Sequence, residues 1–279
     1  MESTEPSSST DLPALEGALL TALDPAYIEQ AELLLAKDAQ PVPDFWVSKY
    51  KADAAKNWNV FYKRNTTNFY KDRHWTDREF PELAFGDEHK VVCEVGCGVG
   101  NFIFPLMRGR PNMFAYVCDF AESAISLVKQ NEHYDTSRIL AFVADLTKDD
   151  LMTTIPESNV DILSMVFVLS AIAPESMDAA VANIAKVVKP GGVVLFRDYA
   201  RYDQAQLRFK PGRRLQDHLY VRQDGTMAFY FTTELLAELF ERHGFEVESN
   251  VYIVKEVVNR KQDVRMDRIF VQAHLRRRQ

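Results

Sequence analysis

A glycine-rich turn follows a run of apolar residues in the segment V-V-C-E-V-G-C-G-V-G-N (residues 91–101). Gly96, Gly98 and Gly100 allow the backbone to turn tightly and to approach a ligand that a Cβ atom would keep away. Asn101 stands where a dinucleotide-binding turn has its third glycine, and the Lys-Ser or Lys-Thr pair of a phosphate-binding P-loop does not follow. The turn therefore predicts a strand, a turn and a helix that bind a small ligand.

Three carboxylates end successive predicted strands around this turn. Glu94 lies just before the turn, and Asp119 follows its last glycine by 19 residues, close to the roughly 20 expected of a ribose-binding acid. A carboxylate there can accept hydrogen bonds from both ribose hydroxyls. Asp145 can accept one from an adenine amino group, and Leu146 can supply a backbone N–H. Acids also stop strands by chance, but three at one sheet edge favour a nucleoside cofactor.

The segments that must position these residues alternate between apolar runs and helical patterns. The apolar runs span residues 91–95, 113–118, 139–144, 160–169 and 192–196, and the helical patterns span residues 101–108, 121–130, 146–152, 176–188 and 232–243. This alternation is typical of a parallel sheet with crossover helices. Two further β-rich runs, residues 245–258 and 268–273, are too close for a crossover helix, so we expect them to pair antiparallel. Helical spacing also appears earlier, in residues 12–35 and 45–58.

The glycine turn, the acids that end the second and third strands and the C-terminal antiparallel pair together resemble the class I S-adenosylmethionine-dependent methyltransferases. The resemblance covers residue 90 to the C-terminus and implies an α/β fold with a Rossmann-like, doubly wound, seven-stranded sheet. It implies S-adenosylmethionine as cofactor and S-adenosylhomocysteine as product, with Glu94 and the turn at the methionine half, Asp119 at the ribose and Asp145 at the adenine. The cofactor-binding residues expected in this domain are Glu94, Gly96, Gly98, Asn101, Asp119, Phe120, Asp145, Leu146 and Val166.

Five separated motifs give a narrower resemblance. They are N-W-N-V-F-Y-K-R-N (residues 57–65), N-F-Y-K-D-R-H-W (residues 68–75), F-V-L-S-A (residues 167–171), L-F-R-D-Y (residues 195–199) and L-Y-V-R-Q-D-G-T (residues 219–226). In this order they resemble the eukaryotic tRNA 3-methylcytidine methyltransferases, which modify a cytidine in the anticodon loop. Residues 1–44 match no part of that pattern.

The narrower resemblance implies that the segment before the sheet folds over the cofactor and takes part in tRNA binding, with Trp58, Tyr62 and His74 near the cofactor. Trp58 and Tyr62 are four residues apart, on one helix face, so they could close a lid over a nucleoside. They could equally be core aromatics. His74 could contact a phosphate or a carboxylate, or be a structural histidine.

Two basic islands interrupt a chain whose net charge is −7. Residues 49–78 hold eight Lys and Arg against three Asp, and residues 197–222 hold seven against three. Both islands are interleaved with aromatic residues, a composition typical of a surface that binds nucleic acid by phosphate contacts and stacking. The alternative is a solvated surface. The expected phosphate contacts are Lys63, Arg64, Lys71, Arg73, Arg213 and Arg214.

The L-F-R-D-Y motif carries the residues that we predict act on the base. Cytosine N3 already holds a lone pair, so methyl transfer needs in-line geometry and a dry pocket more than a strong general base. Asp198 is the predicted acceptor from the exocyclic amino group, stabilising the charge that develops on the base. Arg197 is predicted to donate to cytosine O2, and Tyr199 or Phe167 to stack on the extruded base. Capping or a salt bridge is the alternative role of the Arg-Asp pair.

Composition and length set the outer limits. With 279 residues, 47% hydrophobic and 26% charged, the chain is typical of a soluble globular protein and unlike a collagen or a disulfide scaffold. We expect residues 1–11 to be disordered, residues 12–89 to form a helical N-terminal extension that serves as cofactor lid and tRNA-binding segment, and residues 90–279 to form the methyltransferase domain. The three cysteines lack metal-site spacing, so we expect buried thiols and no metal.

The expected partner is tRNA, with an aminoacyl-tRNA synthetase or another protein as a possible assistant and neither a membrane nor DNA as a partner. The N-terminal sequence lacks the features of a secretory signal or transit peptide, which predicts a cytoplasmic location with the nucleus also open. Two other functions remain open at this point. One is methylation of a small molecule or a protein side chain, and the other is a non-catalytic role in a tRNA modification complex.

Overall fold

The computed structural model describes residues 19–38, 42–67, 69–259 and 264–279. The α-helices are α1 (Pro25–Leu35), α2 (Asp44–Ala52), α3 (Ala54–Asn65), α4 (Thr76–Glu79), α5 (Ile103–Met107), α6 (Glu122–Lys129), α7 (Pro174–Val187), α8 (Gln204–Leu207) and α9 (Thr233–Glu241). The strands are β1 (Leu19–Leu20), β2 (Lys90–Val95), β3 (Met113–Asp119), β4 (Ile139–Val143), β5 (Val160–Val166), β6 (Val188–Tyr199), β7 (Arg214–Gln216), β8 (Leu219–Val221), β9 (Met227–Phe229), β10 (Phe245–Asn259) and β11 (Val264–Arg277). The disorder expected of residues 1–11 falls outside the described residues.

A central sheet has the strand order β1-β10-β11-β6-β5-β2-β3-β4. Strands β2 to β6 are parallel, and β10 and β11 pair antiparallel with each other and on to β6. The predicted seven-stranded α/β sheet with a C-terminal antiparallel pair is thus confirmed. Parallel strands bring their carboxyl ends to one edge, so the residues after β2, β3, β4 and β5 share that edge.

The eighth strand is a departure from the helix predicted over residues 12–35. Leu19 and Leu20 pair with Ile253 and Tyr252 of β10, where the outer edge of the sheet offers unpaired backbone groups. Helix α1 begins only at Pro25, behind an Asp24 cap whose Oδ1 accepts from the Ala26 N–H at 2.7 Å. The proline therefore starts the helix instead of interrupting one, because its fixed φ suits the first helical turn.

The crossover between β4 and β5 also differs from the sequence pattern. An α-helix was expected over residues 146–152, but the chain forms turns and a short 3₁₀ helix, Leu151–Thr153. Local side-chain bonds compete with the helix here, since Asp145 accepts from the Thr147 N–H and Asp150 accepts from the Met152 N–H. The other crossovers contain helices α5, α6 and α7 near their predicted positions.

Helix α3 lies across the carboxyl edge of the sheet. Its buried face presents Trp58, Phe61 and Tyr62, which pack with Val99 of the glycine turn and Ala121 before α6. Asparagines fix the helix at two further points. The Asn57 side chain donates to the Gly225 carbonyl at 2.8 Å, and Asn59 Oδ1 accepts from the backbone N–H of Ser123 at 3.1 Å.

A small antiparallel sheet, β7-β8-β9, stands beside this edge. Its strands contribute Leu215, Leu219, Val221, Met227 and Phe229 to the core that covers one face of the central sheet. Within the described ranges, no helix is both long enough and apolar enough to cross a membrane.

Candidate functional site

A cavity of about 290 Å³ opens at the carboxyl edge of the sheet, beneath α2 and α3. Its lining comes from the strand ends (Gly96, Asp119, Phe120, Ala144, Asp145, Leu146, Thr147, Lys148), from α2 and α3 (Lys51, Ala52, Ala54, Ala55, Trp58, Tyr62), from the segment after β5 (Phe167, Val168, Ala171, Ile172, Ala173, Glu175, Ser176) and from β9 (Met227). Small-molecule sites commonly enclose about 300 Å³ or more. The size and position therefore suit a nucleoside-sized ligand.

The glycine turn is shaped by what packs against it. Gly96 and Gly98 have φ values of +58° and +54°, in the left-handed region that favours glycine. A Cβ atom on Gly96 would lie 2.6 Å from Val168, and one on Gly98 would lie 2.7 Å from the Tyr62 hydroxyl. The two walls of the cavity thus close onto the turn, and side chains at these positions would push them apart.

Asp119 lies at the end of β3 and lines the cavity. Its Oδ2 accepts from the Gly98 N–H and its Oδ1 from the Ala121 N–H, both at 2.9 Å. Burial raises the pKa of Asp119 to about 6, against the lowering effect of these two hydrogen bonds. Each carboxylate oxygen retains a further acceptor site. The side chain is therefore held rigidly and can still accept from two ligand hydroxyls.

Asp145 and Leu146 follow β4 on the same edge. Asp145 Oδ1 accepts from the Thr147 backbone and hydroxyl, and Oδ2 accepts from Lys148 Nζ at 2.7 Å. Burial works to raise the pKa of Asp145, but the hydrogen bonds from Lys148 and Thr147 outweigh it and the pKa is lowered. The group is thus ionised at neutral pH, and an ionised carboxylate accepts more strongly from an exocyclic amino group than a neutral acceptor does.

Trp58 and Tyr62 form the lid side of the cavity. Their rings stack at 5.8 Å, and both side chains are buried. Trp58 Nε1 is buried without a hydrogen-bond partner among the described residues, a state that costs about 1–3 kcal/mol unless an acceptor arrives. These two residues belong to a hydrophobic cluster and also line the cavity. Both positions that the sequence left open, in the core and at the lid, are therefore occupied at once.

Several residues predicted to bind the cofactor, Gly98 among them, lie outside the lining. Glu94 is buried and accepts from the Ile103 N–H at 3.2 Å, and burial raises its pKa to about 8. Asn101 holds the segment before α4, since its carbonyl accepts from the Arg73 N–H at 2.8 Å. Val166 is buried, and its carbonyl accepts from the Arg73 guanidinium at 3.2 Å. Exposed His74 does not line the cavity.

The predicted catalytic residues Arg197 and Asp198 lie outside the cavity lining. Arg197 is 2% exposed, ion-paired with Glu79 and stacked at 4.2 Å over the Trp75 ring. Asp198 is fully buried, accepting from the Ser170 N–H and from its own neighbour's N–H at Tyr199, both at 2.9 Å. Burial raises the pKa of Asp198 to about 6. The two side chains lie on opposite faces of β6, where Arg197 meets Glu79 and Asp198 meets the Ser170 N–H.

Phe167 is the member of the predicted base-binding set that reaches the cavity. Its backbone has φ +61°, a left-handed conformation that is uncommon for a bulky residue and typical of functional sites. Its ring lies 5.1 Å from Tyr199 and 5.4 Å from Phe270. Tyr199 is half-buried behind this ring, so Phe167 forms a wall with the cavity on one side and an aromatic cluster on the other.

The predicted phosphate contacts separate into two groups. Lys63, Arg64 and Lys71 are exposed, at the end of α3 and just beyond it. Arg73 is turned inward, donating to the Val166 carbonyl and lying 5.6 Å from the Phe167 ring. Arg213 and Arg214, beside the small sheet, are half-buried.

Lys51 is a lining residue that sequence reasoning missed. Its Nζ donates to Glu175 Oε1 and to Gln216 Oε1, both at 2.7 Å, and so joins α2 to α7 and β7 across the cavity. Its place in a basic island was the only signal. The segment Phe167–Ala173 was found in part, because the F-V-L-S-A motif follows a predicted strand. In the part of the chain that the structure describes, no three His, Cys, Asp or Glu residues are grouped to hold a metal.

Comparison with known proteins identifies relatives of this chain. A family model described as a methyltransferase domain matches residues 30–250. Human tRNA N(3)-cytidine methyltransferase METTL6 is 50% identical over 248 residues, covering 88% of this chain and 87% of that protein. The Schizosaccharomyces pombe tRNA N(3)-methylcytidine methyltransferase trm141 is 43% identical over 235 residues, covering 82% and 94%.

Solved structures agree on the fold. A SAM-dependent methyltransferase from Anabaena variabilis aligns with a TM-score of 0.61 at 13% identity, over 80% of this chain and 95% of that one. A second, from Methanosarcina mazei, gives 0.56 at 17% identity, over 72% and 99%. At this identity the likeness speaks for the fold alone. The sequence relatives go further, and by them the chain belongs to the family of tRNA N(3)-cytidine methyltransferases.

Proposed function

We propose that this protein transfers a methyl group from S-adenosylmethionine to N3 of a cytidine in the anticodon loop of tRNA. The observation that carries the proposal is the identity of 43–50% with tRNA N(3)-cytidine methyltransferases over most of both chains. The cavity supports it independently, because its acids lie where a nucleoside cofactor would need acceptors.

The residues that line the cavity fit the cofactor. Asp119 would accept from the two ribose hydroxyls, and Asp145 with the Leu146 backbone would bind the adenine edge. The unpartnered Trp58 Nε1 would find an acceptor on the ligand, and Tyr62 would close the lid over the glycine turn. When bound, S-adenosylmethionine supplies an electrophilic methyl group on a positively charged sulfur.

Methylation of cytosine N3 forms a carbon–nitrogen bond as the carbon–sulfur bond breaks, and no proton need leave N3. The protein therefore contributes by aligning N3 with the methyl group and by excluding water from the pocket. Phe167 offers a ring face at the cavity wall, and Tyr199 supports that ring from behind. Asp198 acts through the loop: its carboxylate holds the Ser170 N–H and so fixes residues 167–171. We assign it as a positioning residue, in place of the direct contact with the base that its sequence position suggested.

The exposed cations of α3 and the following segment would meet the tRNA backbone. Lys63, Arg64 and Lys71 are solvent-facing and lie on the segment that closes the cavity. Phosphate contacts of this kind make affinity fall as salt rises.

Transfer of labelled methyl groups to total tRNA, followed by nucleoside analysis, tests the proposal. We expect label in N3-methylcytidine, and its loss when the tRNA is digested with ribonuclease beforehand. A parallel reaction with a protein and metabolite extract freed of RNA covers the two alternatives. Label in that extract alone would replace tRNA with a protein or small-molecule substrate, and transfer to neither, with or without a cell extract, would favour a non-catalytic role.

A further inference from the structure

The L-Y-V-R-Q-D-G-T motif forms a hairpin that the proposed chemistry leaves without a role. Strands β8 and β9 are joined by a turn in which the Gly225 N–H donates to the Arg222 carbonyl at 3.1 Å. Asp224 Oδ1 accepts from the Thr226 hydroxyl at 2.7 Å and from its N–H at 3.0 Å. Gly225 has φ +83°, and a Cβ there would lie 3.0 Å from Asn57 of α3. The turn is thus rigid and is fastened to the lid helix.

This turn presents the Arg222 guanidinium. Its Nη1 donates to the Thr226 hydroxyl at 3.3 Å, and the group lies 5.3 Å from the centre of the Tyr199 ring. The side chain is half-buried. The carboxylates of Asp224 and Asp198 interact with it electrostatically, but its side-chain hydrogen bond goes to the neutral Thr226 hydroxyl.

Two neighbouring arginines, one ion-paired and one bonded to a neutral group, provide a comparison for Arg222. Arg268, 5.6 Å from the same Tyr199 ring, is ion-paired with Asp203 at 2.8 Å. Arg73, on the Phe167 ring, donates to the Val166 carbonyl. Burying a guanidinium without an anionic partner is costly. Unlike Arg268, Arg222 has no directly bonded carboxylate among the described residues, and its guanidinium, with five N–H donors, keeps donors for an anion that a ligand brings.

The position of Arg222 identifies that ligand. The Tyr199 ring contacts both Arg222 and Phe167, and Phe167 lines the cofactor cavity. Met227, which follows the same turn, also lines the cavity. A nucleotide whose base reaches Phe167 would place its sugar and phosphate within reach of this cluster. A guanidinium suits a phosphate because its fork donates two parallel hydrogen bonds to the oxygens.

We propose that Arg222 binds a phosphate flanking the target nucleotide of the tRNA, and that Thr226 and Asp224 are positioning residues for its guanidinium. The inference rests on the proposed function. A phosphate is a better partner than the base itself, because methylation leaves positive charge on cytosine and a guanidinium at its edge would oppose that charge.

Steady-state kinetics with a tRNA that the enzyme methylates tests the role of Arg222 directly. We expect Arg222→Gln to lower kcat/KM for tRNA about 10- to 100-fold and to reduce the salt slope of tRNA affinity by about 1. Arg222→Lys, which keeps the charge but loses the fork, should fall between it and wild type. The matched control is Arg108→Gln, an exposed arginine after α5 at the opposite edge of the sheet, which should match wild type.

A double-mutant cycle locates the contact. Replacing the flanking phosphate with an uncharged methylphosphonate should weaken tRNA binding to wild type and have little further effect on Arg222→Gln. Thr226→Val should weaken binding about threefold and lower the salt slope in the same direction. Affinity for S-adenosylhomocysteine should stay within twofold of wild type in every variant, which shows that the cavity is intact.

Two results would overturn the inference while the proposed function stands. One is an active wild-type enzyme whose kcat/KM and salt slope are unchanged in Arg222→Gln. The other is a variant that accepts bases besides cytidine with the salt slope intact, since that would place Arg222 on the base. An inactive wild-type enzyme would instead count against the proposed function.

Discussion

The end of β3 and the end of β6 carry the same local chemistry and serve different purposes. Asp119 and Asp198 each end a buried strand, each accepts two backbone N–H groups at 2.9 Å, and burial raises the pKa of each to about 6. Only Asp119 lines the cavity.

The difference lies in the source of the backbone donors. Asp119 bonds to the glycine turn and to the residue before α6, both of which border the cavity without covering the carboxylate. Asp198 bonds to Ser170, and the loop around Ser170 supplies the cavity wall through Val168, Ala171 and Ile172. The Asp119 carboxylate is therefore open to the cavity, whereas the Asp198 carboxylate braces the loop in front of it.

Removing the Asp119 carboxylate should have the largest effect. Asp119→Ala should weaken S-adenosylhomocysteine binding by about 2–4 kcal/mol, because two ligand hydroxyls lose their charged acceptor. Isothermal titration calorimetry gives the measurement. Equal affinity in the variant and in wild type would show that Asp119, like Asp198, only holds the backbone around it. The two strand ends would then not differ in function.

The pH dependence of ligand affinity should also distinguish Asp119 from Asp198. Ligand hydroxyls favour the ionised form of Asp119, so affinity for S-adenosylhomocysteine should fall up to about tenfold per pH unit below pH 6. Asp119→Asn should remove this step, while Asp198→Asn should retain it although the pKa of Asp198 is also about 6. A pH profile that flattens in Asp198→Asn would contradict the distinction.

The raised pKa of Asp119 also affects the stability of the ligand-free protein, and there the pH dependence runs in the opposite direction to that of ligand affinity. The folded form binds the Asp119 proton more tightly than the unfolded chain does, so this group's contribution to stability is lost as pH rises from about 4 to about 6. Ligand binding reverses the preference, and the rise in Tm caused by S-adenosylhomocysteine should therefore be larger at pH 7 than at pH 5. Thermal melts at the two pH values measure it.

Asp198→Asn should act on the loop. An amide cannot accept from two N–H groups as the carboxylate does, so we expect unfolding free energy to fall by about 1–3 kcal/mol. Methyl transfer to tRNA should fall about tenfold as Phe167 loses its fixed position, while S-adenosylhomocysteine affinity stays within about threefold. Asp161→Asn is the control: Asp161 accepts from the Val91 N–H at the other end of the sheet, so its loss should lower stability without a matching loss of transfer beyond the folded fraction.

The smallest expected effect is at Lys51. Its bonds to Glu175 and Gln216 are partly exposed, and such pairs contribute about 0–1 kcal/mol. Lys51→Met should weaken S-adenosylhomocysteine binding about two- to fivefold by loosening the join between α2 and α7. Lys49→Met on the same helix breaks a pair with Asp53 and should leave affinity unchanged. Equal losses in both variants would show that the Lys51 bonds to α7 and β7 do not matter for binding.

The sequence was sufficient where local pattern determines structure. Alternating apolar and helical segments predicted the parallel sheet, and the position of an acid at a strand end predicted that Asp119 and Asp145 would share an edge. The glycines were predicted from their spacing, although their close neighbours, Val168 and Tyr62, come from distant segments.

Pairings between distant segments escaped prediction. Alternation along β6 implies that Arg197 and Asp198 face opposite sides of the sheet. It does not predict their partners, which are Glu79 on one side and Ser170 on the other. Leu19 and Leu20 form a strand because β10 offers an edge, which the helical spacing of their own segment contradicts. The missed role of Lys51 has the same origin, since its partners lie on α7 and β7.

A crystal structure of the protein with S-adenosylhomocysteine is the most direct test of the contrast between the two strand ends. We predict ribose hydroxyl oxygens within about 2.5–3.2 Å of the Asp119 carboxylate, with the adenine beside Asp145. We also predict that no ligand atom comes within about 4 Å of the Asp198 side chain. A ligand bound against Asp198, or seated away from Asp119 altogether, would contradict both the cofactor site and the brace.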